Sequence, residues 1–365
     1  MEREDLGDGR ESPAEPQSAG GWGCTVSGVA GLLGIIVALR WSAAVGIPLF
    51  VIAALLGWRS AKRSVAITEA RTARRLAAHG SLVGDVWRRL FAAEGLGDIV
   101  DRLAPHIRAA VRISTSRVDA LAPGASRIGG VPDLAAGMVW PRHDGLPIAF
   151  LAQFDLQEVA QVEPRSPLPR TGHLWFFYDV KGFPGGASPS NGGGAIVLYD
   201  GSGAALVRTE PPPDLSEKSR FSSCAVTLEA YEDIPDPANE RWLDELLGQD
   251  EARAEMYGEI QSELESGLQR NPHKLLGYAG PIQDVMELDC QLEANGIPFA
   301  KRKKEAVRVE ALKAGARDWR LLFQVESDGN AKMMWGDAGR IYYWIKHSDL
   351  VARDWASSWL ILQCC

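Results

Sequence analysis

The stretch "FLAQFDL" (Phe150–Leu156) is a run of large apolar residues that contains one amide, Gln153, and one acid, Asp155. A second stretch, "LLFQVESD" (Leu321–Asp328), places an amide, Gln324, and acids in nearly the same positions. Short apolar runs of this kind, bounded by turn residues, are typical of strands. A buried amide inside a strand needs hydrogen-bond partners. We therefore predict two related strands, each containing one glutamine with a specific role.

The segments around these strands repeat in the same order. "IGGVP", "FLAQFDL" and "GHLWFFYDV" are matched later by "LLGYAGP", "LLFQVESD" and "GRIYYWIKHSDL", although the spacing varies. This order predicts an internal duplication, with pseudo-repeats over 126–200 and 273–365 inside one domain, 121–365. Further strands are predicted at "GAIVLYD", "AALVRTE" and "WLILQC", and an acidic helical insert at Asn239–Glu265.

The repeat leaves two interpretations of Gln153 and Gln324. A feature present in both halves is explained by what both halves need to fold, which makes the amides braces for adjoining loops. In the other interpretation both amides bind a ligand, which requires that they face the same cavity.

The N-terminal part of the chain predicts a membrane anchor. An acidic tail over 1–22, disordered by composition, precedes a segment over 23–58 in which Arg40 is the only charged residue. As one helix, residues 25–58 would extend about 51 Å, far beyond a ~30 Å hydrocarbon core. Splitting the segment at Arg40 gives two short spans. We therefore predict a transmembrane helical hairpin that contacts the lipid bilayer through residues 25–58.

The charges after the hairpin indicate its orientation. Residues 59–120 are predicted to form a basic helical juxtamembrane linker, and six basic residues between 59 and 75 face Glu69 alone. The positive-inside rule places this flank, and the domain after it, in the cytoplasm. Two alternatives stay open: a single crossing with the N-terminus outside, and a buried hairpin of a soluble core.

Several segments together resemble one known family. "SRIGGVPDLAAGMVWPRHDGLPIAFLAQFDLQEV", "LPRTGHLWFFYD", "HKLLGYAGPIQDVMELDCQL" and "MMWGDAGRIYYWI" look like the YwqG-like family of bacterial proteins, over residues 126–365. The resemblance implies an α+β fold with a duplicated, β-rich core and no agreed catalytic residues. It also implies that the anchored chain lies at the bacterial inner membrane. Family members often lie near toxin and immunity genes, which implies binding rather than catalysis. The membrane hairpin departs from the family's pattern.

Two turn-rich stretches contain the candidate binding residues. "WPRHDGLP" presents Trp140, Arg142 and Asp144 just before the first glutamine strand, and "MMWGDAG" presents Trp335 and Asp337 before the matching aromatic strand. Tryptophan and arginine beside a few fixed polar groups are typical of recognition surfaces and ligand pockets. Alternatively, both tryptophans fill the core and the acids make turns.

Composition and motifs limit the classes of function. The net charge of −8 does not favour nucleic-acid binding, and we expect no nucleic-acid partner. The sequence contains no nucleophile elbow, zincin motif or phosphate-binding loop. His143, His173 and Asp144 could meet at a metal only through the fold, as could a nucleophile pair using Cys224 or Cys290. No catalytic residue, metal or cofactor is predicted.

The leading hypothesis is therefore a membrane-anchored, cytoplasm-facing binding protein, either an immunity-type module or another module with a protein partner. The alternative is a small-ligand sensor or enzyme with a pocket between the pseudo-repeats. That pocket would use Asp144, Gln153, Gln324 and Asp337.

Overall fold

The structure is a computed structural model that describes residues 86–182, 194–237, 240, 242–266 and 273–364. The predicted acidic tail, the predicted membrane hairpin and the linker up to residue 85 lie outside the described residues. None of the helices within the described ranges is both long and apolar enough to cross a bilayer.

The fold is mixed α/β and is dominated by one ten-stranded antiparallel sheet. The strands in chain order are β1 (Arg108–Arg117), β2 (Arg127–Ile128), β3 (Asp133–Ala135), β4 (Arg142–His143), β5 (Leu146–Pro147), β6 (Ala149–Asp155), β7 (His173–Tyr178), β8 (Ala195–Asp200), β9 (Leu206–Arg208), β10 (Cys224–Asp233), β11 (His273–Leu276), β12 (Trp319–Glu326), β13 (Arg340–Lys346) and β14 (Trp359–Gln363). The large sheet has the order β14-β13-β12-β11-β1-β10-β2-β6-β7-β8, while β3 pairs with β9 and β4 with β5. The strands predicted around both glutamines are confirmed.

The large sheet consists of two halves with matching registers. The first half-sheet is β10-β2-β6-β7-β8 and the second half-sheet is β1-β11-β12-β13-β14. They meet where β1 pairs with β10, and Ser114 lies opposite Thr227 at the centre of that pairing. Farther out, Arg127 lies opposite Gln153, just as Lys274 lies opposite Gln324. A bulge precedes the glutamine in both β6 and β12, so the pairing is repeated in detail.

The inner faces of the two half-sheets share one core. Phe176 lies 4.6 Å from Phe323 and 5.1 Å from Tyr343, measured between ring centroids. The Tyr343 hydroxyl also donates to the Phe177 carbonyl at 2.9 Å. These contacts join β7 to β12 and β13, so the sheet curls until its two ends pack together.

The outer faces of the half-sheets have different covers. The first is covered by the β3–β9 ribbon and its loops, which enclose Trp175 and Phe177 in a cluster with Leu134. The second is covered by the helix that contains Cys290, which packs on Trp344. These two clusters are separate, so side chains on the outer face of the first half-sheet lie apart from those on the outer face of the second.

The helices are α1 (Val86–Ala93), α2 (Val100–Leu103), α3 (Leu156–Val162), α4 (Trp242–Leu246), α5 (Glu251–Ser266), α6 (Glu287–Ala294), α7 (Ala306–Leu312) and α8 (His347–Ala352). The helical insert predicted over Asn239–Glu265 contains α4 and α5. The helical prediction over 59–120 is wrong for Arg108–Arg117, which forms β1. Pro105 lies in the last helical turn, Ala104–His106. Beyond it, pairing with β10 and β11 satisfies the backbone on both sides.

Candidate functional site

The turn after β2 is repeated after β11. We call Ile128–Asp133 the first turn and Leu275–Gly280 the second turn, and the two align without gaps. The second and third residues are left-handed in both, with φ values of 66° and 72° in the first turn and 62° and 76° in the second. Leu276 is not a glycine, so its left-handed conformation costs about 1–2 kcal/mol of folding free energy. The surroundings must therefore hold the turn in place.

Gln153 supports the first turn. Its side chain is fully buried, and Oε1 accepts hydrogen bonds from the Asp133 amide at 2.8 Å and the Trp175 indole at 3.1 Å. Nε2 donates to the Ala125 carbonyl at 3.1 Å. Both polar atoms are occupied by the protein itself, which is what a brace requires.

Gln324 supports the second turn in the same way. It is 2% exposed, and its Oε1 accepts from the Gly280 amide at 2.9 Å. Nε2 donates to the Glu326 carboxylate at 2.8 Å. Because Gln153 and Gln324 bind loops on separate outer faces, they do not face one cavity.

A second pair of side chains repeats this arrangement. Trp175 lies opposite the first glutamine and donates its indole N–H to the Asp133 carbonyl at 3.0 Å. Tyr342 lies opposite the second glutamine and donates its hydroxyl to the Gly280 carbonyl at 2.8 Å. Asp133 and Gly280 therefore occupy equivalent backbone positions, but only Asp133 carries a side chain there.

In the first half-sheet, the Asp133 carboxylate fills its site. Arg127 Nη2 donates to it at 2.5 Å, the Gly124 amide at 2.9 Å, and Arg208 binds its other oxygen. Burial alone would raise the pKa of Asp133, but these donors outweigh it and lower the pKa below its usual range. The site is closed, since the Asp133 side chain has no exposed surface.

In the second half-sheet, Lys274 occupies the position of that arginine and Gly280 the position of the aspartate. The carboxylate comes instead from Asp233 at the end of β10. It accepts from Lys274 Nζ at 3.2 Å, the Tyr278 amide at 2.8 Å and the Tyr231 hydroxyl at 3.1 Å. The carboxylate thus comes from β10, and a Cβ atom at Gly280 would lie 3.2 Å from Arg340 Nη1.

A cleft of about 390 Å³ borders Gly280 and the Lys274–Asp233 ion pair. One wall is the second turn and the other is α5, with the Lys274–Asp233 ion pair at the side. Its polar lining consists of Asp233, Asp236, Gln261, Ser262, Lys274 and Gln283. The first turn borders a smaller hollow of about 200 Å³, lined mostly by apolar groups such as Phe150 and Phe221.

The α5 wall is fixed by one buried hydrogen bond. The Tyr257 hydroxyl donates to the Pro235 carbonyl at 2.8 Å, which ties α5 to the loop after β10. The next residue, Gly258, lines the cleft, and a Cβ atom there would meet no other heavy atom within 4 Å. The missing side chain of Gly258 therefore widens the cleft.

The residues predicted from "WPRHDGLP" divide between core and surface. Trp140 is buried and donates its indole N–H to the Ile148 carbonyl at 2.8 Å. Arg142 forms a two-point ion pair with Asp214, at 2.8 and 3.1 Å. Asp144 lies in the tight turn between β4 and β5, with a φ of 49° and an exposed side chain.

The residues predicted from "MMWGDAG" divide in the same way. Trp335 has no exposed surface and donates its indole N–H to the Glu326 carbonyl at 3.1 Å. Asp337 is exposed in the following turn. The structure thus does not bring Asp144 and Asp337 together with the two buried glutamines in one pocket.

His143, His173 and His273 have structural partners. His273 Nδ1 accepts from the Glu326 amide at 3.1 Å, so Nε2 carries the proton and donates to Asp328 at 3.0 Å. Burial alone would raise the pKa of Asp328, but hydrogen bonds from His273 and Thr115 outweigh it and hold the pKa well below its usual range. His143 lies 2.9 Å from Asp179, apart from His173, which contacts the Gly124 carbonyl at 3.0 Å. Among the described residues, no group of three or more histidine, cysteine, aspartate or glutamate side chains is placed to hold a metal ion.

The two buried cysteines are poor nucleophiles in this environment. Burial, with a smaller contribution from Asp328, raises the pKa of Cys224 to about 11. Burial also raises the pKa of Cys290 well above its usual value. Both are therefore thiols at neutral pH.

The cleft residues were missed by sequence reasoning, although one signal was available. Aligning the two turns residue by residue places Gly280 opposite Asp133 and Lys274 opposite Arg127. That alignment indicates a lost carboxylate in the second half-sheet. It does not indicate Asp233 or α5, which approach from distant parts of the chain.

These features define a mixed α/β protein with two matched half-sheets and a polar cleft in the second. A family model described as "Domain of unknown function (DUF1963)" matches residues 126–364, and the chain belongs to this family. The matched region includes both turns, both glutamines and the cleft. No curated protein matches the chain.

Proposed function

We propose that this member of the DUF1963 family is a binding protein whose cleft takes a small polar ligand. One observation carries the proposal: two halves that otherwise match in register differ where Asp133 is replaced by Gly280. The first site is closed by its own carboxylate, while in the second half-sheet Gly280 and the Lys274–Asp233 ion pair border an open cleft.

The cleft has the size and chemistry of a ligand site. Its volume of about 390 Å³ lies within the ~300–1,000 Å³ of small-molecule pockets. Lys274 and Asp233 supply fixed charge of both signs, and Gln261 and Gln283 supply amides that can donate and accept. A ligand with several hydrogen-bonding groups would suit this lining better than an apolar one.

Gly258 offers a direct test. A thermal-shift screen of small polar metabolites on the full chain identifies compounds that raise its melting temperature. We expect these compounds to stabilise the Gly258→Ala variant as well, and to lose their effect on Gly258→Leu, whose side chain fills the cleft. Equal shifts in all three proteins would place the ligand elsewhere and contradict the proposal.

We also propose that the family assignment narrows to the YwqG-like proteins, with pseudo-repeats over 126–200 and 273–365 that arose by duplication. The matching registers and turns support this. Residues 25–58 are proposed to anchor the chain in the bacterial inner membrane, with the domain in the cytoplasm. Protease treatment of sealed right-side-out vesicles tests the topology. An N-terminal tag stays protected if the segment is a hairpin and is cleaved if it crosses once.

An immunity-type or other protein-interaction role is the second candidate. Val139 and Met334, which adjoin the two buried tryptophans, are 80% and 64% exposed. Exposed apolar side chains favour a protein partner. Co-purification of the products of adjacent genes should weaken in the Val139→Ser/Met334→Ser variant. Unchanged co-purification would remove these side chains from any interface.

A further inference from the structure

Residues 299–318 form an exposed segment that we call the basic surface. It begins with a 3-10 turn, Phe299–Lys301, continues through α7 and ends in the turn Lys313–Asp318. No residue of these three elements is buried. A segment of this length with no buried side chain adds little to the core and is available for contacts outside the domain.

The charge of the basic surface opposes that of the whole chain. It contains seven lysines and arginines against Glu305, Glu310 and Asp318, a local net charge of +4 in a chain of −8. The ion pairs of this segment involve Arg302, Arg308 and Lys313. Lys301, Lys303 and Lys304 are exposed and have no ion pair among the described residues.

Two large apolar side chains project from the same segment. Phe299 is 77% exposed and Val307 is 85% exposed. Single exposed apolar residues are common, but here they accompany three exposed lysines within four residues. Basic residues around exposed apolar side chains are typical of segments that lie in the headgroup region of an anionic bilayer.

We infer that the basic surface docks on an anionic lipid bilayer. The lysines would contact lipid phosphates and carboxylates, while Phe299 and Val307 enter the interface. A single-stranded nucleic acid fits less well, because its bases stack on aromatic side chains and this segment offers only one. The inference depends on neither the cleft nor the membrane hairpin.

Lysine acetylation, read by mass spectrometry, tests the docking on the full chain. The chain is mixed with vesicles of neutral phosphatidylcholine or with vesicles that also contain phosphatidylserine. Labelling of Lys301, Lys303 and Lys304 is normalised to Lys218 and Lys332, which are exposed elsewhere on the same molecule. This normalisation removes differences in vesicle binding through other segments.

We expect the three lysines to label about fivefold more slowly with phosphatidylserine, the factor that ~1 kcal/mol per basic residue near an anionic surface implies. Phe299→Ser/Val307→Ser should reduce this protection, while Val351→Ser, which alters an exposed valine elsewhere, should not. Equal labelling in both vesicle types would overturn the inference. Protection by an RNA oligonucleotide but not by vesicles would overturn it as well.

Discussion

Replacing Gln153 with leucine should destabilise the protein even though leucine has a similar size. Gln153 makes three buried hydrogen bonds, two through Oε1 and one through Nε2. If it braces the first turn, removing the amide leaves buried backbone groups without partners. If Gln153 only contacted a ligand, the substitution would lower the stability of the ligand-free protein very little.

The expected loss follows from what each former partner retains. The Trp175 indole keeps the Asp133 carbonyl, and the Ala125 carbonyl keeps Arg127 Nε at 3.3 Å. The Asp133 amide is left with no partner, which costs about 1–3 kcal/mol. Losing the other two bonds adds about 1 kcal/mol, so the total is about 2–4 kcal/mol.

Urea unfolding followed by tryptophan fluorescence measures this loss. Gln157→Leu is the control, because Gln157 lies exposed on α3 and such changes stay within ~0.5 kcal/mol. We expect Gln324→Leu to resemble Gln153→Leu, since the Gly280 amide is orphaned in the same way. If Gln153→Leu unfolds at the same urea concentration as the control, Gln153 is not a brace.

Three further predictions concern other parts of the site, each measured by the same unfolding assay. Gly277→Ala should destabilise the protein much more than Gly95→Ala, because the new Cβ at position 277 would collide with the Asp233 carboxylate. Gly95 is also left-handed but has open space around it, so Gly95→Ala should cost only about 1–2 kcal/mol. Asp328→Asn should destabilise by ~2 kcal/mol at pH 7. Because the folded-state pKa of Asp328 is lowered, its stabilisation is present above about pH 4, so the gap between wild type and variant should close as pH falls below that. Gly258→Ala should stabilise α5 by about 1 kcal/mol, and a loss instead would show that the missing side chain matters for folding.

The outer strands of both half-sheets were predictable because their patterns are local. Runs such as those at β6, β7, β12 and β13 combine aromatic and other large apolar residues between turn residues, so residue type alone indicates a strand. The brace role of the glutamines was also accessible, because a polar group repeated in both halves points to a shared requirement of folding.

The central strand β1 was not predictable from its own residues. Its apolar residues follow the three- and four-residue spacing of the preceding helices, which favours a helix when they are read alone. Its neighbours β10 and β11 lie more than a hundred residues away in the chain, and they decide the conformation. The cleft was missed for the same reason, since Asp233, Gly258 and Gly280 meet only through the fold.

Ligand binding in the cleft of the second half-sheet can be located by hydrogen–deuterium exchange, measured with and without the most stabilising compound of the metabolite screen. We predict slower exchange in peptides covering 256–264 and 274–283, with 127–135 unchanged, because only the second turn borders the cleft that holds the ligand. Protection confined to other peptides, or equal protection at both turns, would contradict the claim.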